Sequence, residues 1–175
     1  MSSSAEELGR RARAVRLAIF DVDGVMTDGT LYIGEAGEPF KAFNILDGHG
    51  VKMLQAAGVA TAILSGRASE AVSRRARELS ITYVVQGAED KVAAFERLRG
   101  ELGLAPEACA FMGDDLPDLG VMRLCGLAAA PDNAVPGVKA AAHYVTRARG
   151  GGGAVREFCE LVLRSRGLLE APSPG

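Results

Sequence analysis

The pattern of apolar and polar positions alternates along most of the chain between short apolar runs and longer amphipathic stretches. The short runs, rich in Val, Ile and Ala, predict β-strands at Val15–Val22, Val59–Leu64, Thr82–Val85, Cys109–Met112, Gly126–Ala129 and His143–Thr146. The longer stretches predict helices at His49–Ala57, Ser69–Leu79, Asp90–Leu102, Leu116–Leu124, Val135–Ala140 and Ala154–Arg166. This alternation predicts an α/β fold, a Rossmann-like, doubly wound parallel sheet with helices on both faces.

One segment after the first predicted strand breaks the alternation. Two runs with apolar and aromatic residues, Thr30–Gly34 and Pro39–Asn44, flank a polar turn, which predicts a β-hairpin inserted at about residues 29–45. A lone two-stranded ribbon is only marginally stable in water. The apolar side chains of this hairpin therefore predict a partner surface.

Length and composition favour a single soluble domain. The chain has 175 residues, of which 48% are apolar and 24% charged, as in an ordinary globular protein. Residues 1–13 are interpreted as a polar N-terminal tail or short helix, 14–168 as the domain and 169–175 as a disordered tail. A formal net charge of −2 and only 5% aromatic residues give no basic or stacking surface, so no nucleic-acid partner is expected.

The cysteines and the apolar runs bear on location. Cys109, Cys125 and Cys159 lie far apart and match no metal-binding spacing, so we expect buried thiols in a reducing compartment. No apolar run approaches membrane-spanning length, and the N-terminal residues lack the apolar core of a signal peptide. The sequence therefore predicts a cytoplasmic protein without a membrane partner.

Polar residues collect where the predicted strands end. They are Asp21 and Asp23 after the first strand, Ser65, Gly66 and Arg67 after the second, Lys91 after the third, and Asp114, Asp115 and Asp118 after the fourth. Doubly wound sheets bind ligands at the carboxyl ends of their strands, so we expect these residues to converge. Asp28, Asp47 and Asp132 stand alone and are interpreted as helix-cap or turn residues.

The converging residues indicate phosphate chemistry. An aspartate cluster without His or Cys suits a hard cation with oxygen ligands, namely Mg²⁺. Ser65, Lys91 and loop amides could hold a dianionic phosphate beside it. One carboxylate could then attack phosphorus, and a second, two residues on, could protonate the leaving alcohol. Phosphoryl transfer needs mainly positioning and charge neutralisation, which this set supplies.

Bacterial receiver domains offer an alternative interpretation, because they also combine an acidic cluster, a Ser or Thr and a Lys in a doubly wound fold. Their acceptor Asp ends the third strand. Here the third predicted strand ends in Gln86-Gly87, without an acceptor. The D-x-D spacing of Asp21 and Asp23 favours an enzyme that carries nucleophile and acid on one loop.

Four motifs, in order, resemble those of the haloacid dehalogenase (HAD) superfamily: DVDGVMTD, LSGR, DK at a helix start, and GDDLPD. The resemblance implies that Asp21 is the nucleophile, which forms an aspartyl-phosphate, and that Asp23 is the acid/base. It implies Mg²⁺ ligation by Asp21, the Asp23 carbonyl and Asp114, supported by Asp115 and Asp118. It implies phosphate binding by Ser65, Gly66 and Lys91.

A narrower resemblance covers about Val15 to Gly167. DVDGVMTDGTLYIGEAGEPFKAFNILDGHGVKML, VVQGAEDK, GDDLPDLGVM and GGGGAVREFCELVL resemble the 3-deoxy-D-manno-octulosonate 8-phosphate (Kdo 8-phosphate) phosphatases, a branch without a cap domain. The motif spacing leaves no room for a cap domain either. The resemblance implies a Mg²⁺-dependent homotetramer, assembled through the hairpin, that makes free Kdo for lipopolysaccharide synthesis.

The substrate's acid end leaves alternatives open. The family often carries basic residues where this chain has Leu46 and Gly152, so the candidate partners of a sugar carboxylate are Lys52, Arg67, Gly150, Gly151 and Gly152. A nine-carbon sugar-acid 9-phosphate, another small phosphomonoester or a macromolecular phosphate are alternative substrates. A non-catalytic oligomerisation module is a further alternative, against which the retained Asp21, Asp23, Lys91 and Asp114 count.

Overall fold

A computed structural model describes residues 2–35, 37 and 40–170 of the chain. Within them, a parallel sheet has the strand order β3-β2-β1-β4-β5-β6. Its strands are β1 (Leu17–Phe20), β2 (Ala60–Leu64), β3 (Tyr83–Val85), β4 (Cys109–Met112), β5 (Leu127–Ala130) and β6 (Tyr144–Val145). The predicted doubly wound α/β sheet is confirmed.

Helices cover both faces of this sheet. They are α1 (Ser2–Ala14), α2 (Ile45–Ala56), α3 (Glu70–Glu78), α4 (Lys91–Glu101), α5 (Leu119–Leu124), α6 (Pro136–Ala141) and α7 (Ala154–Ser165). Because side chains alternate along a strand, Phe20 packs with α1, α2, α3 and α7, whereas Ile19 packs with α4, α5 and α6. On the first face Phe20 meets Phe158 edge to face, with ring centroids 5.9 Å apart.

The register of the strands brings their carboxyl ends level. Phe20, the last residue of β1, pairs with Ile63 of β2 and with Met112 of β4. The next residue, Asp21, donates its N–H to the Met112 carbonyl at 3.0 Å. The loops that follow β1, β2 and β4 therefore leave the sheet side by side, where the sequence placed its polar residues.

Two predicted helix boundaries are wrong, each for a local reason. Helix α2 begins at Ile45 rather than His49, because the Asn44 side chain caps it by accepting a hydrogen bond from Leu46 N–H at 2.8 Å. The predicted helix Leu116–Leu124 is divided, since Leu116–Asp118 forms a tighter 3₁₀ turn before α5. With these boundaries, Asp47 lies in the first turn of α2, and Asp118 is the last residue of the 3₁₀ turn before α5.

The N-terminal segment forms a docked helix, one of the two forms that its sequence left open. Ala12 of α1 is fully buried, Arg11 Nη1 donates to the Gly126 carbonyl at 2.7 Å, and Arg13 Nε donates to the Ser165 carbonyl at 2.9 Å. Of the predicted disordered tail, 169–175, residues 171–175 lie outside the described chain, whereas Leu169 is described and packs against the core. Within the described ranges, no helix combines the length and apolarity that a membrane span needs.

The predicted hairpin is seen as a turn with a single antiparallel bridge. Gly34 and Gly37 exchange two backbone hydrogen bonds, and the rings of Tyr32 and Phe40 stack with centroids 4.8 Å apart. Residues 36, 38 and 39 lie outside the described chain. The described residues of the two hairpin arms, 30–35 and 40–44, pair at no position other than this bridge. The two-stranded ladder therefore stays a prediction. The structure does show exposed apolar side chains in this segment, since Ile33 is 74% exposed and Phe40 is 55% exposed.

Candidate active site

The loop after β1 brings Asp21 and Asp23 to the sheet edge. Its wide turn over Val22–Met26 closes through a hydrogen bond of 3.1 Å from Thr27 N–H to the Val22 carbonyl. Gly24 stands in this turn at φ +88°, where a Cβ atom would overlap the Asp114 carboxylate. Glycine at this position therefore lets the loops after β1 and β4 approach each other.

Lys91 is the cation at the centre of the candidate site. It opens α4, which Asp90 caps by accepting a hydrogen bond from Ala93 N–H at 2.9 Å. Its Nζ lies 3.1 Å from Asp21 Oδ2 and 2.6 Å from Asp118 Oδ1. Burial alone would lower the pKa of Lys91, but the two carboxylates together raise that pKa above its ordinary value. Lys91 is therefore a buried ammonium that joins the loops after β1 and β4.

Asp118 holds the loop after β4 in place. It is 1% exposed, and its Oδ2 accepts hydrogen bonds from Asp114 N–H at 2.9 Å and Asp115 N–H at 3.2 Å. Asp115 is exposed and caps the following turn, where its Oδ1 accepts from Leu116 N–H at 2.8 Å. The supporting position predicted for Asp118 thus has a geometric basis in this loop.

Asp21, Asp114 and Asp118 form a carboxylate cluster. Oxygen atoms from the three side chains all lie within 4.8 Å of one another. Burial, followed by the charges of Asp21 and Asp118, raises the pKa of Asp114 to about 7. Burial also raises the pKa of Asp21, and Lys91 opposes that shift. The cluster is therefore electrostatically costly without an added positive charge.

The charge balance of the cluster fits a divalent cation. Three carboxylates against the single ammonium of Lys91 leave an excess charge of −2 when all are ionised. The ligand atoms are all oxygens, which hard divalent metals prefer. The residues present therefore fit a bound metal ion at this edge of the sheet.

Asp23 lies between two cations and apart from this cluster. Its Oδ1 accepts a hydrogen bond from Lys41 Nζ at 2.6 Å, and its Oδ2 lies 3.5 Å from Arg67 Nε. The Lys41 side chain is 2% exposed, whereas that of Arg67 is 53% exposed. The described contacts place the Asp23 carboxylate away from the shared oxygens of the cluster, which is compatible with a role other than metal ligation by this side chain.

One cavity of about 770 Å³ collects most of the predicted site residues. Its walls include Asp21, Asp23, Ser65, Gly66, Arg67, Lys91, Asp114, Asp115 and Asp118. Ser65 is 3% exposed, and its Oγ accepts a hydrogen bond from Arg67 N–H at 3.3 Å. The cavity thus offers a hydroxyl, an ammonium and a guanidinium to an anion beside the carboxylate cluster.

Lys52 is not brought to this cavity. Its Nζ donates to Ser80 Oγ at 3.2 Å. Ser80 precedes β3, so this contact lies toward the amino ends of the strands, on the opposite edge of the sheet. Among the described residues, Lys52 is not part of the cavity that holds the carboxylate cluster, and its interaction with substrate stays a prediction.

The glycine run near α7 supports the loop after β1 from the same chain. Gly150 N–H donates to Asn133 Oδ1 at 2.6 Å, and Gly151 N–H donates to the Val25 carbonyl at 3.1 Å. Gly152 N–H donates to the Arg149 carbonyl at 2.9 Å. These amides therefore donate to acceptors of the same chain in this structure, and their binding to a sugar carboxylate stays a prediction.

Three isolated carboxylates behave as the cap and turn residues that the sequence indicated. Asp28 Oδ1 accepts from Thr30 N–H at 2.8 Å, and Asp132 Oδ1 pairs with Lys139 Nζ at 3.0 Å. Asp47, in α2, accepts from Arg156 N–H at 2.8 Å. Asp47 therefore caps α7 across the fold rather than its own helix.

Two polar residues of this region, Lys41 and Asn133, are not predicted by the sequence patterns described above. Lys41 contacts Asp23, and Asn133 Nδ2 donates to the Gly24 carbonyl at 2.9 Å while its Oδ1 accepts from Gly150. A local signal exists for Lys41, a cation among apolar residues in an arm that alternates inward and outward. Asn133 carries no local signal, because its partners come from distant parts of the chain.

Known proteins are similar to this chain in sequence and in fold. Residues 84–157 match the model of a protein family described as haloacid dehalogenase-like hydrolase. The 3-deoxy-D-manno-octulosonate 8-phosphate phosphatase KdsC of Yersinia pestis is 45% identical over 166 residues, which cover 95% of this chain and 89% of that protein. The similarity therefore spans nearly the whole chain.

Two solved structures of similar proteins contain metal ions. That of the 3-deoxy-D-manno-octulosonate 8-phosphate phosphatase from Moraxella catarrhalis, in complex with magnesium ion, phosphate ion and KDO, has a TM-score of 0.90 at 40% identity and covers 93% of both chains. The cobalt-bound form of the deoxy-D-mannose-octulosonate 8-phosphate phosphatase from Haemophilus influenzae has a TM-score of 0.88 at 38% identity, covering 90% of this chain and 92% of that chain.

Proposed function

This chain belongs to the 3-deoxy-D-manno-octulosonate 8-phosphate phosphatase family of the haloacid dehalogenase-like hydrolases, and from that premise we propose that it hydrolyses Kdo 8-phosphate to Kdo and phosphate. The observation that carries the proposal is the convergence of Asp21, Lys91 and Asp114 in one cavity of this chain. The reaction supplies free Kdo for lipopolysaccharide precursors.

The phosphoryl group would enter beside Asp21. Ser65 and Lys91 line the same cavity and would bind its nonbridging oxygens, with the neighbouring Gly66 amide as a further donor. Lys91 already contacts Asp21 Oδ2, so the ammonium holds the nucleophile and neutralises the entering phosphate at once. The side chains thus place an anionic substrate beside an anionic nucleophile.

The reaction has two steps. In the first, an Asp21 carboxylate oxygen forms a bond to phosphorus while the bond to the sugar oxygen breaks, and Asp23 gives that oxygen its proton. In the second, a water oxygen attacks the phosphorus of the aspartyl-phosphate, Asp23 takes the proton from this water, and the Asp21 carboxylate is released. Asp23 ends each turnover protonated, as it began.

We propose that the carboxylate cluster holds a divalent metal ion and that this ion is Mg²⁺. Asp21 and Asp114 would hold it together with the Asp23 carbonyl, while Asp118 and Asp115 fix the loop that presents Asp114. Bound there, the metal neutralises the carboxylate cluster and the charge of the transferring phosphoryl group. Activity should vanish with a chelator and return with Mg²⁺, whereas full activity in chelator would remove the metal from the proposal.

Arg67 is the best-supported partner for the substrate's carboxylate among the predicted residues. It lines the cavity, its side chain is 53% exposed, and it lies on the rim beside Asp23. A guanidinium binds carboxylates in a paired geometry that an ammonium cannot match. We therefore place the acid end of the sugar toward Arg67 rather than toward Lys52.

The proposed assembly is a homotetramer formed through the hairpin. Leu31, Ile33 and Phe40 are exposed there, as are Ile45 and Leu46 at the start of α2. Exposed apolar groups that are contiguous mark interaction surfaces. We also propose a cytoplasmic location, supported by the free and buried thiols of the three cysteines.

The deciding experiment compares catalytic efficiency on three substrates: Kdo 8-phosphate, a nine-carbon sugar-acid 9-phosphate, and a hexose 6-phosphate that lacks the carboxylate. Kdo 8-phosphate should be the best of the three. Equal use of the hexose phosphate would overturn the sugar-acid assignment and leave only a phosphatase. Preference for the nine-carbon substrate would identify the alternative branch, and no phosphate release from any phosphomonoester would favour the non-catalytic module.

A further inference from the structure

The geometry points to Lys41 as a positioning residue that holds Asp23 by Oδ1 and leaves Oδ2 to exchange the proton. This inference rests on the proposed function, because it concerns how the acid/base of that reaction is held. It adds a residue from the hairpin segment to a site otherwise built from the loops that follow the strands.

The contact between Lys41 and Asp23 is short and shielded from water. Lys41 Nζ lies 2.6 Å from Asp23 Oδ1, with a side chain that is 2% exposed. A charge-assisted hydrogen bond at this distance is among the stronger kinds in proteins. The Asp23 side chain is 21% exposed, so burial keeps water from the ammonium of Lys41 rather than from the carboxylate. A short contact to a buried ammonium favours one orientation of Asp23.

The other Asp23 oxygen faces a different environment. Oδ2 lies 3.5 Å from Nε of Arg67, whose side chain is largely exposed. Asp23 and Arg67 line the large cavity, whereas Lys41 lines a second cavity of about 360 Å³. Lys41 therefore contacts one oxygen of the carboxylate, and the other oxygen lies beside Arg67, a residue of the large cavity. We infer that this second oxygen, Oδ2, is the one that reaches a leaving group.

The backbone around Lys41 seats it on the body of the protein. Phe40 and Ala42 are exposed, while Lys41 and Phe43 are partly buried, as expected for an extended arm with alternating faces. Phe43 packs against the main hydrophobic core, and the Arg75 guanidinium lies 6.0 Å from its ring centroid. The inner face of the arm thus carries both the Asp23 contact and the anchor that holds it.

The inference separates two chemical demands. A sugar alkoxide is a poor leaving group that requires the proton from Asp23, whereas the leaving group of p-nitrophenyl phosphate requires little protonation. Loss of Lys41 should therefore slow the first step with Kdo 8-phosphate far more than with the aryl phosphate. A purely structural contribution of the ion pair would slow both.

The test measures the single-turnover rate at which the leaving group, Kdo or p-nitrophenol, is released, because this release accompanies formation of the aspartyl-phosphate. Lys41→Met removes the charge at similar length, and we expect a roughly 100-fold slower rate on Kdo 8-phosphate, the scale of loss when a catalytic group moves by about 1 Å. On p-nitrophenyl phosphate we expect a loss below about tenfold, since the general-acid contribution is small there. Lys41→Arg should recover part of the rate on the sugar phosphate.

Two further variants control the result. Lys139→Met breaks a surface Lys–Asp pair of similar length, 3.0 Å, and should change neither rate. Phe43→Ala loosens the arm while keeping the Lys41 charge, and it should show a weaker version of the same selectivity. It keeps the test informative if Lys41→Met fails to fold, which thermal unfolding with Mg²⁺ would reveal.

The outcomes distinguish this inference from the function on which it rests. Wild-type turnover together with equal losses on both substrates, or with no loss, overturns the role of Lys41 alone. If Lys41→Met does not fold, unselective losses in Phe43→Ala overturn it equally. Absence of wild-type turnover on every alkyl phosphate overturns the proposed function and this inference together.

Discussion

Asp21 is the side chain on which the proposed reaction depends most directly, since it carries the atom that would bond to phosphorus. Asp21→Asn should abolish turnover while the protein stays folded, because an amide does not attack phosphorus. Phosphate release and thermal unfolding measure the two effects. Asp28→Asn, in the same loop, is the matched control and should retain activity, because Asn Oδ1 can still accept from Thr30 N–H. Normal turnover by the Asp21 variant would contradict the assignment.

Asp114 makes the stability of the metal-free protein depend on pH. Its pKa is about 7 in the fold against an ordinary value of 3.8, so the folded state binds more protons between these values. Stability must then fall as pH rises from about 4 to about 7. Asp114→Asn lacks this titration. In chelator, the melting temperature of this variant should therefore rise relative to that of the wild type as pH increases from about 4 to about 7.

Mg²⁺ provides the complementary test of that prediction. A cation between the carboxylates removes the benefit of protonating Asp114, so added Mg²⁺ should stabilise the wild type more at pH 7 than at pH 5. Asp114→Asn should show a much smaller Mg²⁺ effect at both values. A stabilisation by Mg²⁺ that is independent of pH would argue against a shared carboxylate site.

The sequence predicted the acidic residues of the site because each follows an apolar strand directly. Asp21 and Asp114 need only the rule that parallel strands end at one edge. This rule does not identify Lys41 or Asn133, because neither follows a predicted strand of the parallel sheet as part of the acidic loops. Each reaches its partner from a segment whose path the local pattern does not determine. The contacts of the glycine run are equally non-local, because Gly150 donates to Asn133 and Gly151 donates to Val25 of the loop after β1.

Among helices, strands and loops, local signals worked best where one residue decides the boundary. Strand β4 was predicted to the residue, since a glycine follows its apolar run. The start of α2 differs from the predicted His49, because the apolar pattern does not register the cap that Asn44 provides. The hairpin ladder stays a prediction, since a two-stranded ribbon is marginally stable alone and its pairing should depend on the proposed partner surface.

The packing of the glycine run against the loop after β1 leads to a prediction for Gly150. A Cβ atom there would overlap the Gly24 carbonyl, although the Gly150 φ angle is not positive. Gly150→Ala should therefore destabilise the fold by about 1–3 kcal/mol through overpacking, and should lower kcat by shifting the turn of Asp23.

Gly100 provides the matched control for that substitution. It lies in α4 with no atom within 4 Å of an added Cβ, so Gly100→Ala should stabilise by up to about 1 kcal/mol through helix propensity. Denaturant unfolding and steady-state kinetics measure both variants. Equal behaviour of the two would show that the close approach at Gly150 has no energetic weight.

The proposed tetramer should depend on the exposed apolar side chains of the hairpin for its assembly. Phe40 is 55% exposed and stacks on Tyr32, so a charge in its place would leave the proposed interface without its apolar centre. Phe40→Asp should convert the tetramer to a smaller species at micromolar concentration, as measured by light scattering. Arg97→Asp is the surface control and should keep the wild-type mass, because Arg97 is exposed on α4, which packs on the other face of the sheet from Phe43.

A wild-type monomer at that concentration, or an unchanged mass for Phe40→Asp, would contradict assembly through the hairpin. The variant has a second readout, since the same arm carries Lys41 one residue further on. If assembly steadies the arm, Phe40→Asp should also lose rate selectively on alkyl phosphates.

The central position of β1, between β2 and β4, has a consequence for synthesis on the ribosome. The chain emerges from its N-terminus at about 5–20 residues per second, so β1 and β2 are free well before Cys109–Met112. Until then, one edge of β1 has unpaired backbone groups, and Asp21 lacks the loop that carries Asp114. Nascent chains that stop before β4 should therefore stay protease-sensitive and bind chaperones, and resistance should begin only once β4 has cleared the exit tunnel.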